Sequence, residues 1–129
     1  MAHMVRQAIS TSDAPAAIGP YSQAILAEGR FLFLSGQIPL TSDGVLVEGG
    51  IEAQAKQACD NLKAILAAAG LSPANLVKTT ILLKDMKDFA AVNEIYGEFV
   101  GENPPARATY SVVGLPRDVL IEIEAIAVA

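Results

Sequence analysis

In the stretch PPARATYSVV, residues 104–113, two prolines lead through one alanine to a single arginine at the mouth of an apolar run. A guanidinium keeps its proton and offers a planar fork of N–H donors that matches a carboxylate, so Arg107 has the chemistry to orient a small organic acid. Pro105 stiffens the approach and biases Pro104 toward extended geometry, which lowers the conformational freedom lost when the segment is ordered. Two readings stand side by side: a preorganised anion clamp, or an edge arginine tied to a nearby acid for structural reasons.

A second group with chemical potential is the run IEIE at residues 121–124. Strand alternation sets Val119, Ile121 and Ile123 on one face and Glu122 with Glu124 on the other. A carboxyl group near Arg107 could hold a water molecule and pass a proton; the alternative is that both acids face solvent. Tyr21, after IGP, could present its phenol to a pocket or sit half buried at a strand start. Asn93 falls among the apolar repeats of a predicted helix, where it either braces Arg107 or faces solvent.

Other chemistries lack their residues. The only histidine is His3, so neither a Ser-His-Asp triad nor a histidine-rich metal site can be assembled, and no glycine-rich nucleotide motif is present. No cofactor and no metal are expected. Fourteen acids against nine bases give a net charge of −5, which argues against nucleic acid as a partner. Cys59 is the only cysteine and reads as a small buried hydrophobe, a usage that fits a reducing cytoplasm. No apolar run approaches the roughly 20 residues that span a bilayer. The opening MAHMVRQ does not read as a signal peptide but as a cloning scar ending at Met4.

These groups must be positioned by a chain of 129 residues, one domain's worth. A first strand is expected at residues 8–10. YSQAILA and FLFLSGQI flank a compact connection at Glu28, Gly29 and Arg30 that suits a hairpin. Residues 51–69 carry Ile51, Ala55, Ala58, Leu62, Ile65 and Ala69 at helical spacing, with Gly70 as a left-handed cap. NLVKTTILL reads as a strand. Phe89, Val92, Tyr96 and Phe99 mark a second helix, capped by Asp85 or Asp88 and ending at Gly101. RATYSVV and VLIEIEAIAV are expected to close the chain as a hairpin around GLPRD, bringing the acids of IEIE to the side of Arg107. The order predicts an α+β fold, one sheet of five or six strands with both helices on one face. In FLFLSG and TTILL apolar side chains fall on both faces, so the uncovered face needs a partner, and a second copy of the chain is the partner at hand.

With these residues laid out, the chain resembles the Rid (YjgF) family of enamine/imine deaminases. The resemblance rests on APAAIGPYSQA, FLFLSGQIP, QACDNLKAILAAAG, VKTTILLKDMKDFAAVNEIYGEF, PPARATYSV and LPRDVLIEIEAIA, in that order, from about Ile9 to Val128. It implies a chorismate-mutase-like subunit, a homotrimer whose sheets meet around a central barrel, and ligand sites in clefts between neighbours. It further implies cofactor-free hydrolysis of 2-aminoacrylate and 2-iminopropanoate to a 2-keto acid and ammonia. Arg107 matches the arginine that binds the substrate carboxylate, Glu122 the acid that positions water, and Tyr21 the tyrosine lining the cleft. Ser35 and Gly36 match pocket residues, and Asn93 the helix asparagine near the site. Thr109, which the resemblance places with the substrate-binding residues, stands where many bacterial relatives carry cysteine. Ribonuclease activity and noncatalytic small-acid sensing or chaperone-like binding are the alternative readings of the same family.

Overall fold

A computed structural model describes residues 6–129; His3 and the segment read as a cloning scar lie outside the described residues. Six strands and two helices follow in the order β1 (Arg6–Ile9), β2 (Ala24–Ala27), β3 (Phe31–Gln37), α1 (Ile51–Ala68), β4 (Leu76–Leu83), α2 (Phe89–Val100), β5 (Ala106–Ser111) and β6 (Ile121–Val128). The strands divide into a two-stranded sheet, β1-β2, and a four-stranded sheet in the order β3-β6-β4-β5. Within the larger sheet β4 and β5 are parallel while β6 runs antiparallel to both β3 and β4, so it is mixed.

This arrangement corrects three expectations. The strands are not gathered in one sheet of five or six. Residues 28–30 do not close a hairpin, because β2 pairs with β1 and β3 with β6. Gly29 adopts φ +132°, and a β-carbon there would lie 2.7 Å from the Ala129 carbonyl oxygen. The glycine lets the chain cross close under the C-terminus, where the Ala129 N–H donates to Arg30 O at 2.8 Å. Nor do the last two strands form a hairpin: β4 lies between them. Burying β4 on both edges gives its apolar run TILL a ladder on each side, which a terminal hairpin would deny it.

Helix α1 buries Ala55, Ala58, Cys59, Leu62 and Leu66. Ala69, expected on this face, is exposed, and Leu66 takes the last apolar position. Gly70 at φ +76° ends the helix; its N–H bonds Ala67 O and that of Leu71 bonds Leu66 O, satisfying carbonyls that a helix end leaves open. Asp85 caps the single turn Met86–Asp88 that leads into α2, accepting from the Lys87 N–H at 2.8 Å. Helix α2 buries Val92, Tyr96 and Val100.

Both helices cover the same face of the larger sheet. Their buried residues join Leu34, Ile81, Leu83, Ile121 and Ile123 in one apolar cluster, where each large side chain contributes about 1.5–3 kcal/mol. The other face carries Phe31, Phe33 and Tyr110, which are 50%, 73% and 56% exposed. The doubly apolar strands expected from FLFLSG and TTILL are therefore present, and only one of their two faces is covered within the chain. Among the described residues no helix is long and apolar enough to cross a membrane.

Candidate functional site

Arg107 stands on β5, the edge strand, level with Thr79 of β4. Thr79 is buried and belongs to the helix-covered face, so the guanidinium rises on that face beside α2. Its Nη1 donates to Asn93 Oδ1 at 2.7 Å. Three rings surround its charge: the guanidinium carbon lies 5.3 Å from the Tyr21 ring centroid, 5.4 Å from Tyr96 and 5.5 Å from Phe89. Such contacts hold a cation by the quadrupole of the ring face without neutralising it.

No carboxylate takes up this charge. Among the described residues, the ion pairs are Lys56 with Asp60 and Lys84 with Asp118, and none involves Arg107. Burial draws the Arg107 pKa down from its ordinary value, opposed by the Tyr96 and Tyr21 phenols; a guanidinium nonetheless stays protonated. Tyr96 cannot serve as a counter-ion, because burial pushes its phenol up to about 12 against the lowering effects of Thr79 and Arg107. Of the two readings of Arg107 that the sequence left open, the arginine tied to an acid is excluded within the chain.

The approach to Arg107 is fastened by a residue that sequence reasoning missed. Ser22 Oγ donates to Pro104 O at 2.5 Å and the Ser22 N–H to Pro105 O at 3.0 Å. The proline carbonyls thus hold the neighbouring Tyr21 against the arginine. Thr79 and Tyr96 were also missed as parts of the site. Their hydroxyls are 2.5 Å apart, which fixes the Tyr96 ring beneath the guanidinium. Helical periodicity identified Tyr96 only as a core residue, which it also is.

Arg107, Asn93, Tyr21, Phe89, Met86 and Thr109, with Ile18 and Gly19, line a cavity of about 300 Å³. That volume is at the small end for ligand pockets and suits a compact organic acid. A larger cavity of about 510 Å³ is lined by Tyr21, Ser22 and Gln23 with residues of the 8–12 and 16–17 segments, but no charged side chain lines it. A cavity of about 260 Å³ between α1 and α2 does carry charges, but lysines and acids of both signs line it; an unopposed cation, rather than volume, marks the Arg107 cavity.

Glu122 lies elsewhere. It pairs with Leu82 across β4 and β6, while Arg107 is level with Thr79, which pairs with Ala125. Neighbours in register share a face and odd steps reverse it, so Glu122 projects from the face opposite Arg107. The expected meeting of the two groups within one chain does not occur, because the hairpin assumed for it is replaced by the intervening β4. The register between β3 and β6 shifts between Leu34 and Gln37, and Ser35 and Gly36 occupy the irregularity. A β-carbon at Gly36 would clash with Glu122 Oε2 and lie 2.9 Å from its Cδ. The absence of a side chain at Gly36 is what seats the Glu122 carboxyl. The candidate residues therefore form two half-sites, Arg107 with Tyr21, Asn93 and Thr109 on one face, and Glu122 with Ser35 and Gly36 on the other.

The family model described as Endoribonuclease L-PSP matches residues 11–129. The human 2-iminobutanoate/2-iminopropanoate deaminase is 52% identical over 129 residues, covering 99% of this chain and 93% of the human protein. The structure of a Rid family protein of Yersinia pestis, YyfB, superposes with a TM-score of 0.90 at 32% identity, over 98% of this chain and 100% of that one. The structure of Escherichia coli TdcF with bound serine gives a TM-score of 0.74 at 42% identity, over 95% and 98% of the two chains.

Proposed function

The chain belongs to the Endoribonuclease L-PSP family, which includes the Rid proteins, and from that membership we propose how its two half-sites divide one hydrolysis. The activity is that of a 2-iminobutanoate/2-iminopropanoate deaminase, the name carried by mammalian relatives at 52–55% identity. Reactive imines, including 2-iminopropanoate and its enamine tautomer 2-aminoacrylate, become 2-keto acids with release of ammonia. The family description names RNA cleavage, but a net charge of −5 offers little to a phosphate backbone.

Three copies form a ring with their sheets around a central barrel, in which Phe31, Phe33 and Tyr110 are covered and the Arg107 half-site of one copy meets the Glu122 half-site of the next. The opposite placement of the halves and the exposed aromatic face support this assembly. Arg107 binds the substrate carboxylate; the charge that the aromatic rings leave unneutralised is available to it. Glu122 of the neighbouring copy holds a water and takes one of its protons as the oxygen adds to C2. The same carboxyl returns that proton to nitrogen and then relays the proton of the new C2 hydroxyl to the departing nitrogen as the C–N bond breaks, so that ammonia leaves a C=O bond behind. The working compartment on this reading is the cytoplasm, where such imines arise.

The observation that carries the reading is a half-buried arginine with aromatic walls, a polar brace and no acid beside it, at the mouth of a small cavity. An imine generated in situ by an amino-acid oxidase tests it, with 2-keto acid and ammonia followed against an enzyme-free control. Glu122→Gln keeps the shape and loses the base, so we expect turnover to fall roughly 100-fold while the mass remains trimeric. Wild-type kinetics in this variant would remove Glu122 from the reaction. Gly36→Ala displaces the Glu122 carboxyl without touching the arginine. Its kcat is expected to drop on the order of 10- to 100-fold with binding of 2-ketobutyrate retained; unchanged kcat would show that Gly36 does not seat the acid.

A further inference from the structure

Among the described residues, two polar side chains are buried, Thr79 and Gln54. Thr79 is answered by the Tyr96 hydroxyl. Gln54 belongs to the apolar face of α1, with Ala55, Ala58 and Leu62, where an amide costs stability unless it is bonded. Its Oε1 accepts from the Leu120 N–H at 2.8 Å. Two turns along the same helix, on the same side, Asn61 makes the complementary contact. Its Nδ2 donates to Leu40 O at 2.9 Å and to Ile38 O at 3.3 Å, while its Oδ1 accepts from Gln57 Nε2 at 2.7 Å.

These backbone groups border the place of Glu122. Leu120 directly precedes β6 and stands two residues before the acid. The ladder of β3 and β6 ends with the pair Gln37 and Ile123, so the chain from Ile38 to Leu40 runs on past Glu122 toward Leu120. Beyond that pair the carbonyls of Ile38 and Leu40 turn to Asn61 instead of to β6. A cavity of about 470 Å³ lies between Asn61 and Gly36, so packing does not wedge this segment and the amide's bonds hold it. The entry to β6 is no firmer by itself. Arg117 and Asp118 stand at φ +56° and +55°, a conformation that persists in such residues only where the surroundings fix it. Lys84 holds Asp118 at 2.8 Å, Arg117 Nη1 donates to Gly44 O at 3.1 Å, and Gln54 supplies the last tie before the strand. One helix thus grips both strand ends at the level of the carboxyl, from the opposite face of the sheet.

We propose that Gln54 and Asn61 are positioning residues for the hydrolysis: through Leu120 on one side and Ile38 and Leu40 on the other, they hold the Glu122 carboxyl and the Gly36 notch in register. The proposal deepens the deaminase reading and rests on its assignment of Glu122. The notch leaves no slack, since a β-carbon at Gly36 would already clash with the carboxyl. A misplacement of about 1 Å is enough to cost a reacting group much of its rate.

The test reads Glu122 through these partners. Gln54→Met and Asn61→Leu replace each amide by an apolar chain of similar length. At saturating imine each is expected to lose on the order of tenfold in kcat, while 2-ketobutyrate, held at the Arg107 half-site, binds within about twofold of wild type. Gln54→Glu keeps an oxygen to accept from Leu120 and should recover kcat to within about threefold of wild type, even though a buried carboxyl lowers its melting temperature. In a Glu122→Gln background neither Gln54→Met nor Asn61→Leu should slow turnover further, because the group they place is gone. A merely structural loss would follow the melting temperature and lower kcat in both backgrounds. The NMR resonance of the Glu122 side-chain carboxyl, assigned by its absence from Glu122→Gln, should move in both variants and stay in Gln54→Glu. Equal losses in the two backgrounds, unchanged kcat in either variant, or an unmoved resonance overturns the proposal. If Gln54→Met does not fold, Asn61→Leu, at a half-buried position, decides the comparison. A wild type inactive toward imines refutes the deaminase reading; the resonance then decides alone whether the two amides place the carboxyl.

Discussion

Arg107→Lys is expected to lose roughly 100-fold or more in kcat/KM, although the positive charge is kept. Hydrogen bonds to charged groups are worth about 1.5–3 kcal/mol, so losing the second arm of the fork and its alignment is enough for that factor. Geometry adds to the loss. The guanidinium is held by Asn93 at 2.7 Å and packed among Tyr21, Phe89 and Tyr96. An ammonium on a shorter, flexible stem has no planar surface for those rings and no second nitrogen to spare once Asn93 is satisfied. KM should therefore rise and kcat fall together, because the carboxylate is held both loosely and at the wrong angle. The measurement is the oxidase-coupled imine assay, with circular dichroism confirming the fold. Lysine kinetics close to those of wild type would mean that Arg107 is a structural cation and that the clamp lies elsewhere.

The second large effect comes from mixing two inactive chains. Arg107 and Glu122 project from opposite faces of one sheet, so the proposed site, which uses both, takes one from each of two copies. Arg107→Ala and Glu122→Ala proteins should each be nearly inactive alone. After joint unfolding and refolding at equal amounts, activity should return to about one quarter of wild type. That is the share of contacts in a randomly mixed ring that pair an intact arginine with an intact glutamate. The same two proteins, mixed after folding and before exchange, should stay at background. If both groups came from a single chain, every chain in the mixture would lack one of them, and co-assembly would restore nothing. Mass measured on the refolded sample ties the recovered activity to the mixed assembly.

Much of the local structure was legible because local forces determine it. The alternation in IEIE places Ile121 and Ile123 in the core and Glu122 away from it, as found. Helical spacing located Val92 and Tyr96, and Gly70 and Gly101 stop the two helices at positive φ where glycine has no side chain to clash. The stiff approach to Arg107 was also readable from Pro104 and Pro105. Less legible were the partners that surround and hold this arginine. Ser22 was one polar residue in a loop until its bonds to the two proline carbonyls were seen. Thr79 was one of several threonines in a strand until its hydroxyl met that of Tyr96. Gly36 gave no sign, in isolation, of the carboxyl it makes room for.

By itself the sequence determined the elements, their buried faces and the candidate chemistry, since dihedral preference and apolar periodicity act over a few residues. Which strand lies beside which was decided only in three dimensions. Pairing between distant segments depends on which arrangement buries the most apolar surface and satisfies the most backbone groups at once. No turn signal announces the parallel ladder of β4 and β5, and that ladder together with the antiparallel one of β4 and β6 put β4 between Arg107 and Glu122. A shift of one strand turned an expected single pocket into two half-sites on opposite faces, because a sheet separates what it does not pair on the same side.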